Sequence, residues 1–384
     1  MKPLALYIHW PFCLAKCPYC DFNSHVREKA DISDWKNALI SDMRHEAALT
    51  AGRPLTSIFF GGGTPSLMPP ALVEALLLEA QRLWGFAPGI EITLEANPSS
   101  VEAANFATLA KVGINRVSLG LQALDDQTLR FLGRLHGVAE GLAALEVAQR
   151  HFERVSFDLI YARPEQTPMQ WKNELSQALA MGTGHLSLYQ LTIEPGTRFA
   201  TLVREGKLTP LDDDQGAELF EITRELTASA GLPAYETSNH ARVGEESRHN
   251  LTYWRYQDYI GIGPGAHGRR LGMATVRHKK PENFLRAVSE QNHGISEERL
   301  LPVREQAMEA LLMGLRLTEG ISPPALATRF GMAEQDLIDP KACESLAKMG
   351  YLNVRETHMN VTEKGAPLLE ALLADLVSDT LVSP

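Results

Sequence analysis

The sequence predicts an α/β fold, a partial (β/α)6 barrel followed by a C-terminal winged-helix-like domain. Three observations predict it. Six short apolar runs, rich in β-branched and aromatic residues and edged by turn residues, recur along the first half, with helical periodicity between them. The alternation fades near residue 200, short of the eight units that a closed barrel needs. From about residue 303 the texture changes to several helices followed by a hairpin pattern.

The predicted strands are Leu4–Trp10, Thr56–Phe60, Glu91–Glu95, Arg116–Leu121, Val155–Tyr161 and His185–Thr192. Between them, Ala71–Leu83, Ala103–Lys111, Ala139–Gln149 and Met169–Leu179 repeat apolar residues at three- and four-residue steps, the period of a helix packed on one face. Successive strand–helix units argue for a parallel sheet with helices outside it. Three segments follow from this reading: 1–200 as the partial barrel, 201–300 as an irregular extension, and 301–384 as a helical, winged-helix-like domain. The extension holds a strand-like Ala234–Ser238 and the glycine-rich Gly261–Gly268. The last segment reads as helices at Arg304–Arg316, Pro323–Phe330, Ala333–Ile338 and Lys341–Lys348, then a hairpin of Tyr351–Val354 with His358–Val361.

Composition excludes several classes. With 44% hydrophobic and 22% charged residues the chain reads as an ordinary globular protein. No window approaches the roughly 18 apolar residues of a membrane helix, and Leu4–Ile8 reads as a strand rather than a signal peptide. The expected location is the cytoplasm, with membrane association only through a partner. A net charge of −10 disfavours non-specific binding to nucleic acid. Winged-helix modules often bind DNA, but residues 301–384 hold 7 Lys and Arg against 12 Asp and Glu, so a structural or partner-binding role is expected there.

Of four cysteines, three fall within eight residues, Cys13, Cys17 and Cys20, directly after the first strand. Clustered thiols in a cytosolic chain point to a metal, and soft thiolates select iron–sulfur clusters or zinc. A cubane has four irons, so three cysteines leave one iron open to a ligand. Pro11 and Pro18 oppose the alternative of three cysteines on one helix face. A Cys3His zinc site through His9 or His25 stays open, although no second cysteine pair is present. A redox pair of Cys17 and Cys20 would leave Cys13 without a role. Cys343 stands alone and reads as a buried core thiol.

Polar residues fall one after another on predicted strand ends, where barrels gather their chemistry. The second strand runs into Gly61-Gly62-Gly63-Thr64-Pro65, whose backbone N–H groups are expected to approach a ligand. The third ends in Glu95, the fourth runs into Gln122, with Arg134 twelve residues later, and the fifth carries Asp158. A carboxylate inside an apolar strand is costly unless paired, so Asp158 is expected to meet Arg134 or a ligand. Each residue alone fits a structural hydrogen bond; together, behind one cysteine motif, they point to a site.

The spacing Cys-x3-Cys-x2-Cys after a first strand resembles the radical S-adenosylmethionine (SAM) superfamily. Further stretches are similar to its oxygen-independent coproporphyrinogen III oxidase group: Tyr7-Ile-His-Trp-Pro-Phe-Cys13, Phe59-Phe-Gly-Gly-Gly-Thr-Pro65, Val117-Ser-Leu-Gly-Leu-Gln122, Phe157-Asp-Leu-Ile-Tyr161 and Leu191-Thr-Ile-Glu-Pro-Gly-Thr197. The resemblance implies a [4Fe–4S] cluster on Cys13, Cys17 and Cys20 whose open iron binds SAM. It also implies SAM contacts at Tyr7, Tyr19, Gly62, Gly63, Thr64, Glu95, Gln122, Arg134 and Asp158. The chain departs from the group at Ala162-Arg163-Pro164, where relatives carry Gly-Leu-Pro, and this puts the local loop geometry in question.

Two features divide the group. The oxidase has a fourth cysteine where this chain has Phe22, and an extension ahead of the cluster strand. His249-Asn250-Leu-Thr-Tyr253-Trp254 matches the His-Asn-x-x-Tyr-Trp motif of the group's haem-chaperone branch. By resemblance, His249 is expected as an iron ligand or close neighbour of a bound haem; from spacing alone it reads as a surface-loop histidine anchored by Tyr253 and Trp254. Three functions are in play: a haem chaperone that delivers to an acceptor protein, an enzyme using a deoxyadenosyl radical on a porphyrinogen, and a zinc-stabilised binding protein. The first two need an electron donor for the cluster. No residue is singled out as catalytic.

Overall fold

The apolar runs and several less obvious segments build one sheet. The computed structural model describes residues 3–27 and 31–382, so the outermost residues of segments 1–200 and 301–384 lie outside it. The main strands are β1 (Leu4–Trp10), β2 (Leu55–Gly62), β3 (Phe86–Ala96), β4 (Arg116–Gln122), β5 (Arg154–Tyr161), β6 (His185–Gln190), β7 (Asn239–Ala241), β8 (Asp258–Ile262), β9 (His267–Arg270), β10 (Met273–Arg277) and β11 (Ile295–Leu300). Their spatial order is β11-β10-β9-β8-β1-β2-β3-β4-β5-β6-β7, which leaves β11 and β7 as edges. The six predicted strands are β1 to β6, all parallel.

The 201–300 segment, expected as an irregular extension, supplies the remaining five strands of this sheet. β8 pairs in parallel with β1, and β7 closes on β6 in antiparallel sense. Part of the glycine-rich Gly261–Gly268 lies in β8 and β9. The predicted strand Ala234–Ser238 is displaced: Ala234 makes a single bridge to His240, and the paired strand starts at Asn239.

The alternation of side chains decides which face holds the site. Along β4, Val117, Leu119 and Leu121 are buried toward the helices, whereas Arg116, Ser118 and Gly120 turn to the other face. β1 and β2 do the same, sending Ile8, Ile58 and Phe60 into the helix-covered core and Tyr7, Ser57 and Phe59 inward. Helices Ile32–Leu49, Pro70–Trp84, Val138–His151 and Pro168–Ala180 bury Leu39, Leu76, Leu145 and Leu175 against that core. Thr167 starts the last of these with a capping box and Pro168 at its first turn. The predicted Ala103–Lys111 is two short helices, Ser100–Ala103 and Phe106–Lys111.

The C-terminal segment has its own core, centred on Leu311, Leu315, Leu337, Met359 and Leu376. Helices Val303–Arg316, Pro323–Phe330, Glu334–Leu337 and Pro340–Lys348 precede the hairpin Leu352–Arg355 with His358–Val361, in the predicted winged-helix-like order. Among the described residues no helix is long and apolar enough to cross a membrane.

Candidate functional site

The cluster loop leaves β1 at its C-terminal end and returns as a two-residue strand: Phe12–Cys13 pairs in parallel with His25–Val26. Cys13, Cys17 and Cys20 are half-buried, form no disulfide, and line one side of a cavity of about 750 Å³, within the range of small-molecule sites, about 300–1,000 Å³. Tyr19, Gly62, Gly63, Thr64, Glu95, Gln122, Arg134 and Asp158 line the same cavity. Tyr7 and His249 do not.

The glycine turn after β2 is built for contact with the cluster loop rather than for free donors. The Gly63 N–H donates to Trp10 O at 2.7 Å and the Thr64 N–H to Phe12 O at 2.9 Å. The Gly62 N–H donates to Glu95 Oε2 at 3.3 Å. A Cβ on Gly63 would lie 2.7 Å from Phe12 O, and one on Gly62, at φ +113°, would lie 2.7 Å from the His9 ring. The N–H groups expected to face a ligand at Gly62, Gly63 and Thr64 are thus committed within the protein.

His9 is held from both sides. Asn23 O accepts from its Nε2 at 2.9 Å, which leaves Nδ1 to accept the Tyr7 hydroxyl at 3.0 Å. Burial lowers its pKa to about 4, so the ring is neutral. With both nitrogens engaged, His9 is no zinc ligand. Among the described residues no three His, Cys, Asp or Glu side chains gather as the shell of one metal ion. A cubane asks something else, one thiolate on each of three irons.

Hydrogen-bond donors reach two of the sulfurs. The Thr64 hydroxyl donates to Cys13 Sγ at 3.4 Å and Arg134 Nη1 to Cys17 Sγ at 3.5 Å. Burial pushes the Cys13 and Cys20 thiols up, against the hydrogen bonds each receives. Donors aimed at thiolates, thiols spread over one wall, and a cavity beside them fit an iron–sulfur cluster with a ligand next to it.

The opposite wall carries the carboxylates. Glu95 on β3 sits beside Ser118 on β4 in the parallel register. The Ser118 hydroxyl donates to Asp158 Oδ1 at 3.2 Å, so the expected Asp158–Arg134 pair is not made. Arg134 instead donates to Asn97 Oδ1 at 2.5 Å and Gly120 O at 3.0 Å. Burial, then the charge of Asp158, raises Glu95 to about 8. Burial raises Asp158 to about 6, opposed by hydroxyls and by Arg116 and Arg134.

His249 is not in a loop. It lies on helix Arg248–Trp254, fully buried among Tyr7, Phe59 and Tyr253, which form the floor of the sheet's inner face. Glu91 of β3 accepts the backbone N–H groups of Arg248 and His249 at 3.1 and 3.0 Å, which seats the helix N-terminus inside the sheet's inner face. His249 Nδ1 pairs with Ser57 Oγ at 2.9 Å, and its ring lies 5.1 Å from Phe59 and from Tyr253 between centroids. Its Nε2 has no partner, and burial lowers its pKa to about 3. Trp254 packs under Arg316, 4.8 Å from ring centroid to guanidinium, and ties this floor to the C-terminal segment. Asn97 stands outside the motifs of the sequence, and Ser118 lies within Val117–Gln122 with nothing there to single it out.

The radical SAM superfamily model matches residues 7–177, and that of the HemN C-terminal domain matches residues 301–368. The chain is 36% identical over 383 residues to "Heme chaperone HemW" of Escherichia coli (strain K12), covering 97% of this chain and 98% of that one. It belongs to the HemW family. HemW-family likeness extends to a mitochondrial "Radical S-adenosyl methionine domain-containing protein 1" of Bos taurus, 36% identical over 97% of this chain and 87% of the relative. Among solved structures, coproporphyrinogen III oxidase (HemN) of Escherichia coli shares the fold, with TM-score 0.84 and 23% identity over 97% of this chain and 90% of that one. The family carries a [4Fe–4S] cluster and SAM as cofactors.

Proposed function

We propose that this chain is a haem-binding chaperone built on a radical SAM centre. What carries the reading is the wall of three thiols beside a strand-end cavity, in a chain whose full-length relative bears the name "Heme chaperone HemW". In this reading Cys13, Cys17 and Cys20 hold the cluster, leaving one iron for SAM, and the cavity walls hold SAM. When bound, the cluster supplies one electron to SAM. The chain's own residues orient and shield: Thr64 and Arg134 donate to the sulfurs, Glu95 and Asp158 face the ligand from the sheet, and Tyr19 covers it from the loop. An electron donor feeds the cluster, an acceptor protein takes the haem, and both meet the chain in the cytoplasm. Phe22, exposed on the cavity rim, stands where the oxidase group has a cysteine, and no oxidation of coproporphyrinogen III accompanies the reading.

The haem ligand in this reading is His249, whose unpartnered Nε2 is free to bind iron. As packed it is sealed, so ligation requires helix Arg248–Trp254 to leave the floor. The test is a haem titration followed by absorption and by amide hydrogen exchange. About one haem per chain is expected, with faster exchange over Arg248–Trp254 in the haem complex. Tight haem binding with unchanged exchange there would remove His249 from the site. No haem binding at all would overturn the chaperone reading.

A further inference from the structure

Asn97 is a cavity residue that neither the cysteine motif nor the strand-end pattern includes. It follows β3 by one residue, and its backbone N–H donates to the buried Glu102 carboxylate at 2.8 Å. Glu102 in turn receives the Ser66 hydroxyl. The side chain is therefore presented by a fixed backbone. Its amide O accepts Arg134 Nη2 at 2.5 Å, and its amide N donates to Thr64 Oγ1 at 3.2 Å.

This orientation is forced, because a guanidinium only donates. The amide O must face Arg134, so the amide N–H must face Thr64. With its oxygen occupied as an acceptor, Thr64 has its proton left for Cys13 Sγ, 3.4 Å away. Arg134 meanwhile spends its other terminal nitrogen on Cys17 Sγ, 3.5 Å away. One amide thus sets the direction of the donors on two cluster thiolates.

We propose that Asn97 is a positioning residue for the cluster, which holds the Thr64 proton on Cys13 and the Arg134 fork on Cys17 and so keeps the cluster's reduction potential high. Hydrogen bonds to cluster sulfurs stabilise the more negative, reduced state. The proposal rests on the cluster assignment and is independent of haem.

Asn97→Asp tests it with almost no change in shape. A carboxylate only accepts, so the Thr64 hydroxyl turns to it and leaves Cys13. Asn97→Ser is neutral and too short to span Arg134 and Thr64. Both variants, reconstituted anaerobically with iron and sulfide as full chains, are read by redox titration followed by electron paramagnetic resonance. A more negative midpoint is expected in both, with at least a tenfold lower ratio of reduced to oxidised cluster at a fixed poise, which is about 59 mV for one electron. In a Thr64→Val background, Asn97→Ser should lose the part of its shift that runs through Thr64 and Cys13 and keep the part that runs through Arg134 and Cys17, so the two shifts are less than additive. A wild-type midpoint in cluster-loaded Asn97→Ser, or fully additive shifts with Thr64→Val, would overturn the proposal. A chain that binds no cluster in wild type would instead overturn the assignment beneath it.

Discussion

Glu95 and Asp158 share one cavity wall, and burial raises both, to about 8 and about 6. An acid whose pKa is higher folded than unfolded binds more protons in the native state between the two values, so its contribution to stability falls as pH rises through that window. For Glu95 the window runs from its ordinary value of 4.5 to about 8. Glu95→Gln removes that titration: urea unfolding of the cluster-free chain should show the variant gaining on wild type between pH 5 and pH 8. Equal wild-type and variant slopes of stability against pH would contradict the raised pKa. The buried neutral histidines, His9 and His249 among them, act in the opposite sense below about pH 6.5 and cancel in this comparison. At this scale the sequence announced the cysteines and the strand-end acids, because a spacing motif and an acid in an apolar run are each visible signals. Asn97 gave none, and Ser118 none of its own within the Val117–Gln122 stretch, since a lone amide or hydroxyl is common in any loop or strand. His249 was visible as a motif, but spacing could not tell that Ser57 and Glu91, far away in the chain, would draw it under the floor.

The turn after β5 holds Ala162-Arg163-Pro164, the stretch at which the sequence departs from the group it resembles. Ala162, where the group carries Gly, has φ +55°, a conformation that favours glycine. Arg163, in place of Leu, pays for its burial with a paired carboxylate, Glu174, which also accepts the Leu124 N–H at 2.8 Å. The turn thus combines a left-handed alanine with a buried ion pair. Ala162→Gly should raise stability by about 1 kcal/mol, the cost of a left-handed non-glycine residue, measured by urea unfolding. A loss of stability would mean that the alanine methyl packs more than its backbone strains. Helices were readable to within a few residues, since periodicity and caps are local: Pro323–Phe330 matches the reading at both ends. β3 begins five residues before its predicted start, because Pro88 and Gly89, the latter at φ +67°, break the apolar alternation where the pairing with β2 jumps from Leu55–Phe86 to Ser57–Glu91. β7 was displaced because its partner, not its composition, selects Asn239–Ala241.

The described residues build one eleven-stranded sheet with a site at its strand ends, helix Arg248–Trp254 packed against its inner face, and a separate C-terminal core. The parallel half was legible because each strand–helix unit is contiguous in sequence. The pairing of β8 with β1 joins residues about 250 apart, and nothing local in the glycine-rich 258–277 stretch names that partner. The C-terminal segment was legible as a module, and the structure adds how it is held: the Thr318 N–H donates to Tyr235 O at 3.0 Å, Arg255 pairs with Glu319, and Trp254 packs under Arg316. Helix Arg248–Trp254 thus packs on the sheet through His249 and on the C-terminal segment through Trp254. All of this depends on the thiol wall being a cluster site that binds SAM. The direct measurement is electron paramagnetic resonance of the anaerobically reconstituted, reduced chain with and without SAM, on wild type, Cys17→Ala and Cys343→Ala. A [4Fe–4S] signal that SAM alters is predicted in wild type and in Cys343→Ala, and no cluster in Cys17→Ala. Stoichiometric zinc without labile sulfide, or a cluster signal that saturating SAM leaves unchanged, would contradict it.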